Sequence, residues 1–199
     1  MAPPRDPEST RQHILEVTAE EMRQNGFKAA SLADILAKAE VSKGALYHHF
    51  ANKQELGYAV FDEVFVREFL ADWDLPMSSD EPIDALCKWM TEFAEHVSEE
   101  VLQQGCPVYN IATEMSSADE GFRSKTTKMF ETLQAHLAET IETAKRNGQV
   151  KTDIDPESVA PFIVATIQGS MMQGKYGRNL ETFKASIKCL ASYLASLKA

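Results

Sequence analysis

The sequence of 199 residues predicts an all-α fold of nine helices. Apolar residues recur at intervals of three and four along most of the chain, which is the spacing of one helix face. Serine, aspartate and asparagine stand before these stretches and glycines follow several of them, as they do at helix starts and ends. No run alternates polar and apolar residues in the manner of a half-buried strand, so no strand is predicted.

The first helix is predicted from Ser9 to about Asn25. Ser9 and Gln12 have the spacing of a capping box, in which two side chains satisfy the first amides of a helix. Gly26 is expected to end the helix, because glycine readily adopts the left-handed conformation that closes many helices. Residues 1–8 are predicted to form a flexible N-terminal tail.

Three further helices are predicted directly after it. Ser31 is expected to cap the second helix, Ser42 the third, and Asn52 a fourth and longer one. Only Glu40 and Val41 separate the second helix from the third. A helix, a tight turn and a short second helix, braced by a helix on each side, form the helix-turn-helix arrangement.

The remaining five helices are predicted to be more amphipathic. A fifth follows the loop PMSSDEP, and a sixth begins near Gly105 and Pro107. The seventh is expected from Asp119 to Asn147, the eighth from Asp155 to Tyr176, and the ninth from Leu180 to Leu197.

The composition favours a cytoplasmic protein with a buried core. The hydrophobic fraction of 44% is sufficient for such a core. The N-terminus has no signal-peptide pattern, and charges interrupt every apolar stretch before it reaches the length of a membrane span. The three cysteines are widely spaced and form no CxxC pair, so neither disulfides nor a zinc site is expected. No metal and no cofactor are predicted.

The net charge of -10 is unevenly distributed. Residues 1–60 contain 7 Lys and Arg against 8 Asp and Glu, a sum of -1, whereas residues 61–199 contain 13 against 22, a sum of -9. His13, His48 and His49 also lie in the first segment. Although acidic proteins rarely bind nucleic acids, the N-terminal third is therefore able to present a small basic face.

The third helix carries residue types that suit DNA. Leu46 and Phe50 are four residues apart and are expected to face the core, which leaves the other side chains facing outward. The small residues in this set allow the helix backbone to approach the major groove closely. The outward residues predicted to bind DNA are Lys43, Gly44, Ala45, Tyr47, His48 and His49.

Both base edges and phosphates have candidate partners in this region. Ala45 suits a thymine methyl group, and His48 or Lys43 suits a purine edge. Tyr47 and the N-terminal amides of the third helix suit phosphate oxygens. The other predicted DNA contacts, at the starts of the second, third and fourth helices, are Ser31, Ser42 and Lys53.

The run SLADILAKAEVSKGALYHHFANKQEL, residues 31–56, resembles the DNA-binding signature of TetR-family transcriptional regulators. Nine helices in a chain of this length are also similar to that family. The segments GCPVYNIATEM and QGSMMQGKYGRN further resemble its NemR-like subgroup. Glu40 and Leu36 depart from the family pattern, which usually has glycine and alanine at these positions, and a carboxylate near phosphates is expected to weaken DNA binding.

The resemblance implies a homodimeric repressor of two domains, with residues 9–52 binding DNA and residues 53–199 binding ligand and forming the dimer. Two recognition helices about 34–36 Å apart then read a palindromic operator in double-stranded DNA. A small-molecule inducer, apolar or electrophilic, is expected to release it. The last two helices are expected to form the dimer seam, with candidate contacts Phe162, Ile163, Ile167, Ile187, Leu190, Tyr193 and Leu194.

Aromatic and methionine residues of the larger domain are core residues by default. The resemblance also makes them candidates for a ligand cavity, because methionine is flexible and aromatic rings combine apolar and polar edges. The predicted pocket residues are Trp89, Met90, Phe93, Tyr109, Met115, Phe130, Met171, Met172 and Tyr176.

Cys106 is a candidate sensor because it lies at the predicted start of the sixth helix, where amides stabilise a thiolate. Cys87 and Cys189 lie within predicted helices and are expected to be unreactive. The resemblance implies that a cysteine in this segment reacts with electrophiles or oxidants, and that Lys175 favours its thiolate. A buried cysteine beside a pocket for a reversible apolar ligand is an equally weighted alternative.

Two features of the sequence point to other function classes. GSMMQGK, residues 169–175, matches the first seven positions of the GxxxxGK[ST] phosphate-binding loop of nucleotide hydrolases. Tyr176 follows it instead of the required hydroxyl residue, and no strand precedes it, so the protein is not expected to be an enzyme. A helical adaptor that has lost DNA binding is the other alternative, suggested by the charge of Glu40.

Overall fold

The computed structural model describes residues 6–199, and within this range the chain is helical, with one isolated bridge between Val150 and Lys198 instead of a sheet. A π-helical segment, Phe61–Val66, joins the fourth and fifth helices. The helices are α1 Pro7–Ala29, α2 Leu32–Ala39, α3 Lys43–His49, α4 Lys53–Val60, α5 Arg67–Met77, α6 Pro82–His96, α7 Glu99–Gln104, α8 Pro107–Met115, α9 Glu120–Arg146, α10 Pro156–Gly177 and α11 Leu180–Ser196.

The nine predicted helices are all present among the described residues. The predicted fourth helix comprises α4, the π-helical segment and α5, which run on without a break because Phe61 and Arg67 both have helical backbone angles. The short helix α7 was not predicted. Its start at Ser98 has the usual signal, since the Ser98 side chain accepts a hydrogen bond from the Val101 amide at 3.2 Å.

Helix α1 begins before the predicted position. Asp6, and not Ser9, caps it, because Asp6 Oδ1 accepts hydrogen bonds from the amides of Glu8 at 3.0 Å and Ser9 at 3.1 Å. Pro7 occupies the first helical position, where its missing amide is not needed. The predicted capping box at Ser9 is therefore wrong. Of the predicted tail, residues 1–5 lie outside the described residues, and Pro7 and Glu8 are helical.

One compact unit contains the described residues up to Phe69 together with residues 107–126. Its core brings α1, α2, α3 and α4 together with the start of α9. The ring of Phe122 lies 4.8 Å from the rings of both Phe27 and Tyr58, in edge-to-face contact. The fully buried residues Leu15, Ile35, Leu46, Phe61 and Phe122 hold these helices together.

The second compact unit contains residues 70–106 and 127–199. Helix α11 packs against both α6 and α10, and α7 packs against α10. Gly174 allows the last of these contacts, because a Cβ atom at this position would lie 2.7 Å from Leu102 Cδ1. Trp73, Leu86, Leu137, Ile163 and Phe183 are among its fully buried residues. No helix in residues 6–199 combines the length and apolar character that a membrane span requires.

Candidate DNA-binding surface and effector segment

The predicted caps of the helix-turn-helix are confirmed. Ser31 Oγ accepts a hydrogen bond from the Ala33 amide at 3.2 Å, and Ser42 Oγ accepts one from the Ala45 amide at 3.1 Å. Asn52 caps α4 in the same way. These local bonds satisfy amides that have no partner within their own helix, so they fix where α2, α3 and α4 begin.

The turn between α2 and α3 has an unusual backbone conformation at Glu40. Its φ of 54° and ψ of 39° are left-handed, and its amide donates to the Ala37 carbonyl at 3.3 Å. The Val41 amide then donates to the Leu36 carbonyl at 3.3 Å, which closes the turn. A non-glycine residue in this conformation costs about 1 kcal/mol. The departure from the family pattern at this position therefore affects conformation as well as charge.

Helix α3 divides into a buried side and an exposed side, as predicted. Leu46 and Phe50 are buried, at 0% and 4% exposure. Ala45 and His49 are half-buried. The exposed residues of the predicted DNA-binding set are Ser42, Lys43, Gly44, Tyr47 and His48.

The exposed side of α3 combines a cation, a phenol and imidazoles. Lys43 Nζ lies 5.7 Å from the centre of the Tyr47 ring, and the rings of His48 and His49 are 5.0 Å apart. Ammonium and phenol groups donate hydrogen bonds to phosphate oxygens, and imidazoles bind base edges. The side is therefore chemically suited to a DNA groove.

An ion pair that the sequence did not predict fixes α2 against α1. Glu21 is only 4% exposed, and its carboxylate accepts hydrogen bonds from Lys38 Nζ and, at 2.6 Å, from Asn25 Nδ2. The bond from Lys38 lowers the pKa of Glu21. A glutamate on the apolar face of α1, beside Met22, was the available sequence signal, because a buried carboxylate requires a partner.

Lys53 differs from the other predicted DNA contacts because its ammonium has an acceptor within the protein. Lys53 Nζ donates to the Lys28 carbonyl at 3.0 Å and lies 4.8 Å from the centre of the Phe27 ring. Burial lowers its pKa, against the opposing effect of Glu114. Its contact with phosphate remains a prediction, and it requires the ammonium to share this carbonyl or to leave it.

The candidate sensor Cys106 is half-buried and directly precedes α8. Lys175 Nζ donates at 3.1 Å to the carbonyl of Gln104, two residues before Cys106, so the lysine lies against the same segment. Burial lowers the pKa of Lys175. Burial also raises the pKa of Cys87, whose Sγ donates to the Ala191 carbonyl at 3.4 Å, whereas Cys189 is exposed.

The predicted pocket residues are divided between the two compact units. Tyr109 and Met115 are buried in the first unit, and the ring of Tyr109 lies 5.6 Å from that of Phe69. The others lie in the second unit, where Tyr176 is 75% exposed. Residues 169–175, which match part of the phosphate-binding loop, lie inside α10 and form helix instead of a loop.

Helices α10 and α11 form an exposed groove of about 560 Å³. Phe162 and Tyr193 lie at this groove, 47% and 36% exposed, and their rings are 5.0 Å apart. Four of the predicted seam contacts are buried within the protomer, where α11 packs on α6 and α10. These are Ile163, Ile187, Leu190 and Leu194.

Two family descriptions match the sequence. Residues 14–60 match bacterial regulatory proteins of the tetR family, and residues 82–189 match the tetracyclin repressor-like C-terminal domain. The second match alone covers more than half of the chain.

Relatives named as transcriptional repressors match along most of their length. The repressor DhaR of Mycobacterium sp. (strain GP1) is 29% identical over 174 residues, covering 86% of this chain and 85% of DhaR. The repressor NemR of Escherichia coli K12 is 23% identical over 192 residues, which cover 94% of each chain.

Solved structures share the fold. The reduced form of E. coli NemR has a TM-score of 0.82 at 23% identity, covering 96% of this chain and 97% of that one. A TetR-family regulator from Cytophaga hutchinsonii has a TM-score of 0.87 at 19% identity, covering 99% and 98%. With both of its parts matched, the chain belongs to the TetR family of bacterial transcriptional regulators.

Proposed function

We propose that this regulator is a homodimeric repressor that binds a palindromic operator through α3 and leaves it when a small-molecule inducer binds. The observation that carries the proposal is the exposed side of α3, where Lys43, Gly44, Tyr47 and His48 surround a helix fixed by the Ser42 cap. The relatives DhaR and NemR are both named as repressors.

In this proposal the residues of α3 divide into two roles. Tyr47 binds phosphate oxygens and sets the position of the helix, so its contribution is similar for every DNA sequence. Ala45, together with His48 or Lys43, lies against base edges and discriminates between sequences. The helix-start residues Ser31, Ser42 and Lys53, with His49, complete the phosphate contacts.

The charge distribution supports DNA binding through the N-terminal segment alone. The segment that contains α1 to α4 is nearly neutral, whereas residues 61–199 carry a charge of -9 and repel the duplex. Few cationic side chains are available, so affinity for non-specific DNA is low. Operator affinity still falls as salt rises, because each phosphate contact releases counterions.

The test uses a duplex selected from a randomised DNA library with the parent protein. Tyr47→Ala lowers affinity for selected and unselected duplexes alike, whereas His48→Ala changes the preferred bases in a repeated selection. The exposed histidine of α6 provides a matched control, and His96→Ala leaves both properties unchanged. If both α3 variants select and bind DNA like the parent, α3 is not the recognition helix. A parent that selects no duplex would favour the adaptor alternative.

For the inducer, we propose an electrophile that reacts with Cys106. The position before α8 favours a thiolate, as does the Lys175 ammonium that donates to the Gln104 carbonyl two residues earlier. E. coli NemR, to which this chain is similar, was solved in a reduced form. In the proposed step the Cys106 thiolate adds to an activated carbon–carbon double bond of the electrophile, the π bond breaks, and the neighbouring carbon takes a proton from water. The bulk of the adduct displaces α8.

N-ethylmaleimide distinguishes this inducer class from a reversible apolar ligand. It releases the selected duplex from the parent, and Cys106→Ser abolishes the release. Cys87→Ser is the matched control. It releases the duplex like the parent, because the Cys87 thiol that it removes is half-buried, has a raised pKa and is not expected to react. Release that persists in both Cys106→Ser and Cys189→Ser, with Cys106 unlabelled in the parent by mass spectrometry, supports the non-covalent pocket instead, because Cys189 is the exposed thiol.

A further inference from the structure

Helix α1 is interrupted near its end by Gly26, whose φ is 77° and ψ is 170°. The chain then forms one new helical turn, closed by a hydrogen bond from the Ala30 amide to the Gly26 carbonyl at 3.1 Å. Because this turn starts after a break, Phe27 and Lys28 carry its first amides, which a helix cannot satisfy with its own carbonyls. They need an acceptor from elsewhere in the fold.

Glu114 of α8 supplies that acceptor. Its Oε2 accepts from the Phe27 amide at 2.9 Å, and its Oε1 accepts from the Lys28 amide at 2.8 Å. A carboxylate that accepts from two successive amides makes two charge-assisted hydrogen bonds, which are stronger than neutral ones. Gly26 leaves room for this contact, because a Cβ atom there would lie 2.8 Å from Glu114 Oε2.

The same turn also holds α4. The Lys28 amide donates to Glu114, and the Lys28 carbonyl accepts from Lys53 Nζ at 3.0 Å. Lys53 is the first residue of α4, and Asn52, which caps that helix, follows α3 by only a few residues. A continuous series of hydrogen bonds therefore leads from α8, through the turn at Phe27 and Lys28, to the helix that follows α3.

We infer that Glu114 is the positioning residue through which α8 controls operator binding: its carboxylate holds the turn at Phe27 and Lys28, and that turn holds Lys53. The inference rests on the proposed function. When α8 shifts, the carboxylate leaves both amides, the turn loses its only charged acceptor seen in the described residues, and Lys53 is no longer fixed at the start of α4. Glu114 does not itself touch DNA.

The first measurement is operator affinity. Glu114→Gln keeps the side-chain shape but presents an NH₂ group to one of the two amides, so the pair of bonds cannot form. Affinity for the duplex selected with the parent falls by about tenfold or more, as expected for the loss of hydrogen bonds to a charged group. Glu131→Gln is the matched control, since Glu131 is exposed on α9, and it binds like the parent.

Two further readouts separate positioning from general stability. Hydrogen exchange at the Phe27 and Lys28 amides accelerates in Glu114→Gln, while amides in the α10 and α11 cores keep their protection. A double-mutant cycle combines Glu114→Gln with Lys53→Met. Lys53→Met lowers the operator affinity of the parent, but it lowers the affinity of Glu114→Gln by less than about twofold, because both changes break the same series of contacts. A purely structural role would instead give additive losses and faster exchange throughout the protein.

The outcomes are distinct. If the parent binds the selected duplex and Glu114→Gln binds it equally, or if the losses with Lys53→Met are additive, the inference is wrong and the proposed function stands. If the parent selects no duplex, the proposed function and the role of Glu114 in it are both wrong. If circular dichroism shows that Glu114→Gln does not fold, Glu114→Asp is used instead. Aspartate keeps the charge but is one methylene too short to reach both amides, so we expect an intermediate loss of operator affinity.

Discussion

Glu40 combines two unfavourable properties in one residue. Its left-handed backbone, with φ of 54°, is one of two such non-glycine conformations among the described residues, the other being at Arg178. Its carboxylate is exposed two residues before Ser42, which caps α3. The first property lowers the stability of the turn, and the second places a negative charge beside the surface proposed to bind phosphates.

Two substitutions at Glu40 separate these properties. Glu40→Gly removes both the left-handed strain and the charge, so it raises the free energy of unfolding by about 1 kcal/mol and also strengthens operator binding. Glu40→Gln keeps the strain and removes the charge, so it strengthens operator binding with little change in stability. Urea unfolding and a titration of the selected duplex measure the two effects. Equal affinity for all three proteins would show that residue 40 lies too far from phosphates to matter.

At this scale the sequence predicted local contacts and missed distant ones. The caps at Ser31 and Ser42 were predicted because donor and acceptor are two or three residues apart. The acceptor of the Lys28 amide is 86 residues away in the sequence, at Glu114, and no pattern of neighbours indicates it. The early start at Asp6 was missed for a different reason, since Ser9 offered an equally good local signal.

Helix α3 is a short element that depends on its surroundings. Seven residues are too few for a stable isolated helix, so its stability comes from the Ser42 cap and from burial of Leu46 and Phe50. Gly44 weakens the helix further, because glycine is flexible in the unfolded chain and loses more conformational entropy than other residues when it becomes helical. Nothing in the fold requires glycine here: a Cβ atom at residue 44 would meet only Ser42 Oγ, at 3.8 Å.

Gly44→Ala is therefore expected to change stability and binding in opposite directions. The free energy of unfolding rises by about 0.5–1 kcal/mol, because alanine favours the helix and meets no close neighbour. Operator affinity falls, because the added methyl group keeps the backbone of α3 from the floor of the groove. Ser42→Ala is the contrasting variant and lowers both, with a stability loss of about 1 kcal/mol from the missing cap. Unchanged affinity in Gly44→Ala would mean that this part of α3 does not approach DNA closely.

The π-helical segment shows where helix prediction from spacing reaches its limit. The start signal at Asn52 correctly predicted a long fourth helix, but a π-helix differs from an α-helix only in that its hydrogen bonds span five residues instead of four. Phe61, Val64 and Phe65 are buried along it, which an ordinary helix face also explains. No glycine or proline lies in Phe61–Val66 to indicate the change.

At the scale of the whole molecule, the proposed function depends on a second copy of the chain. A palindromic operator requires two α3 helices, and a single protomer carries one. The groove of α10 and α11 is the surface proposed to join the copies, since it exposes Phe162 and Tyr193 while Ile163 and Leu194 of the same helices are buried. The family resemblance placed all four residues in the seam, and a resemblance between helices does not show which of their apolar residues are buried within one protomer.

Phe162→Asp tests the seam. The carboxylate enters an exposed apolar site, so it leaves the protomer folded but places two charges near each other across a two-fold interface, where like charges without partners are costly. We expect monomers in sedimentation at micromolar concentration, unchanged helix content by circular dichroism, and loss of specific binding to the selected duplex. Leu75→Asp is the matched control, because Leu75 is an apolar residue of α5 that is 77% exposed outside α10 and α11, and it remains dimeric and binds. If Phe162→Asp remains dimeric, the dimer interface lies elsewhere. If it is monomeric and still binds the palindrome with the affinity of the parent, DNA binding does not require a dimer.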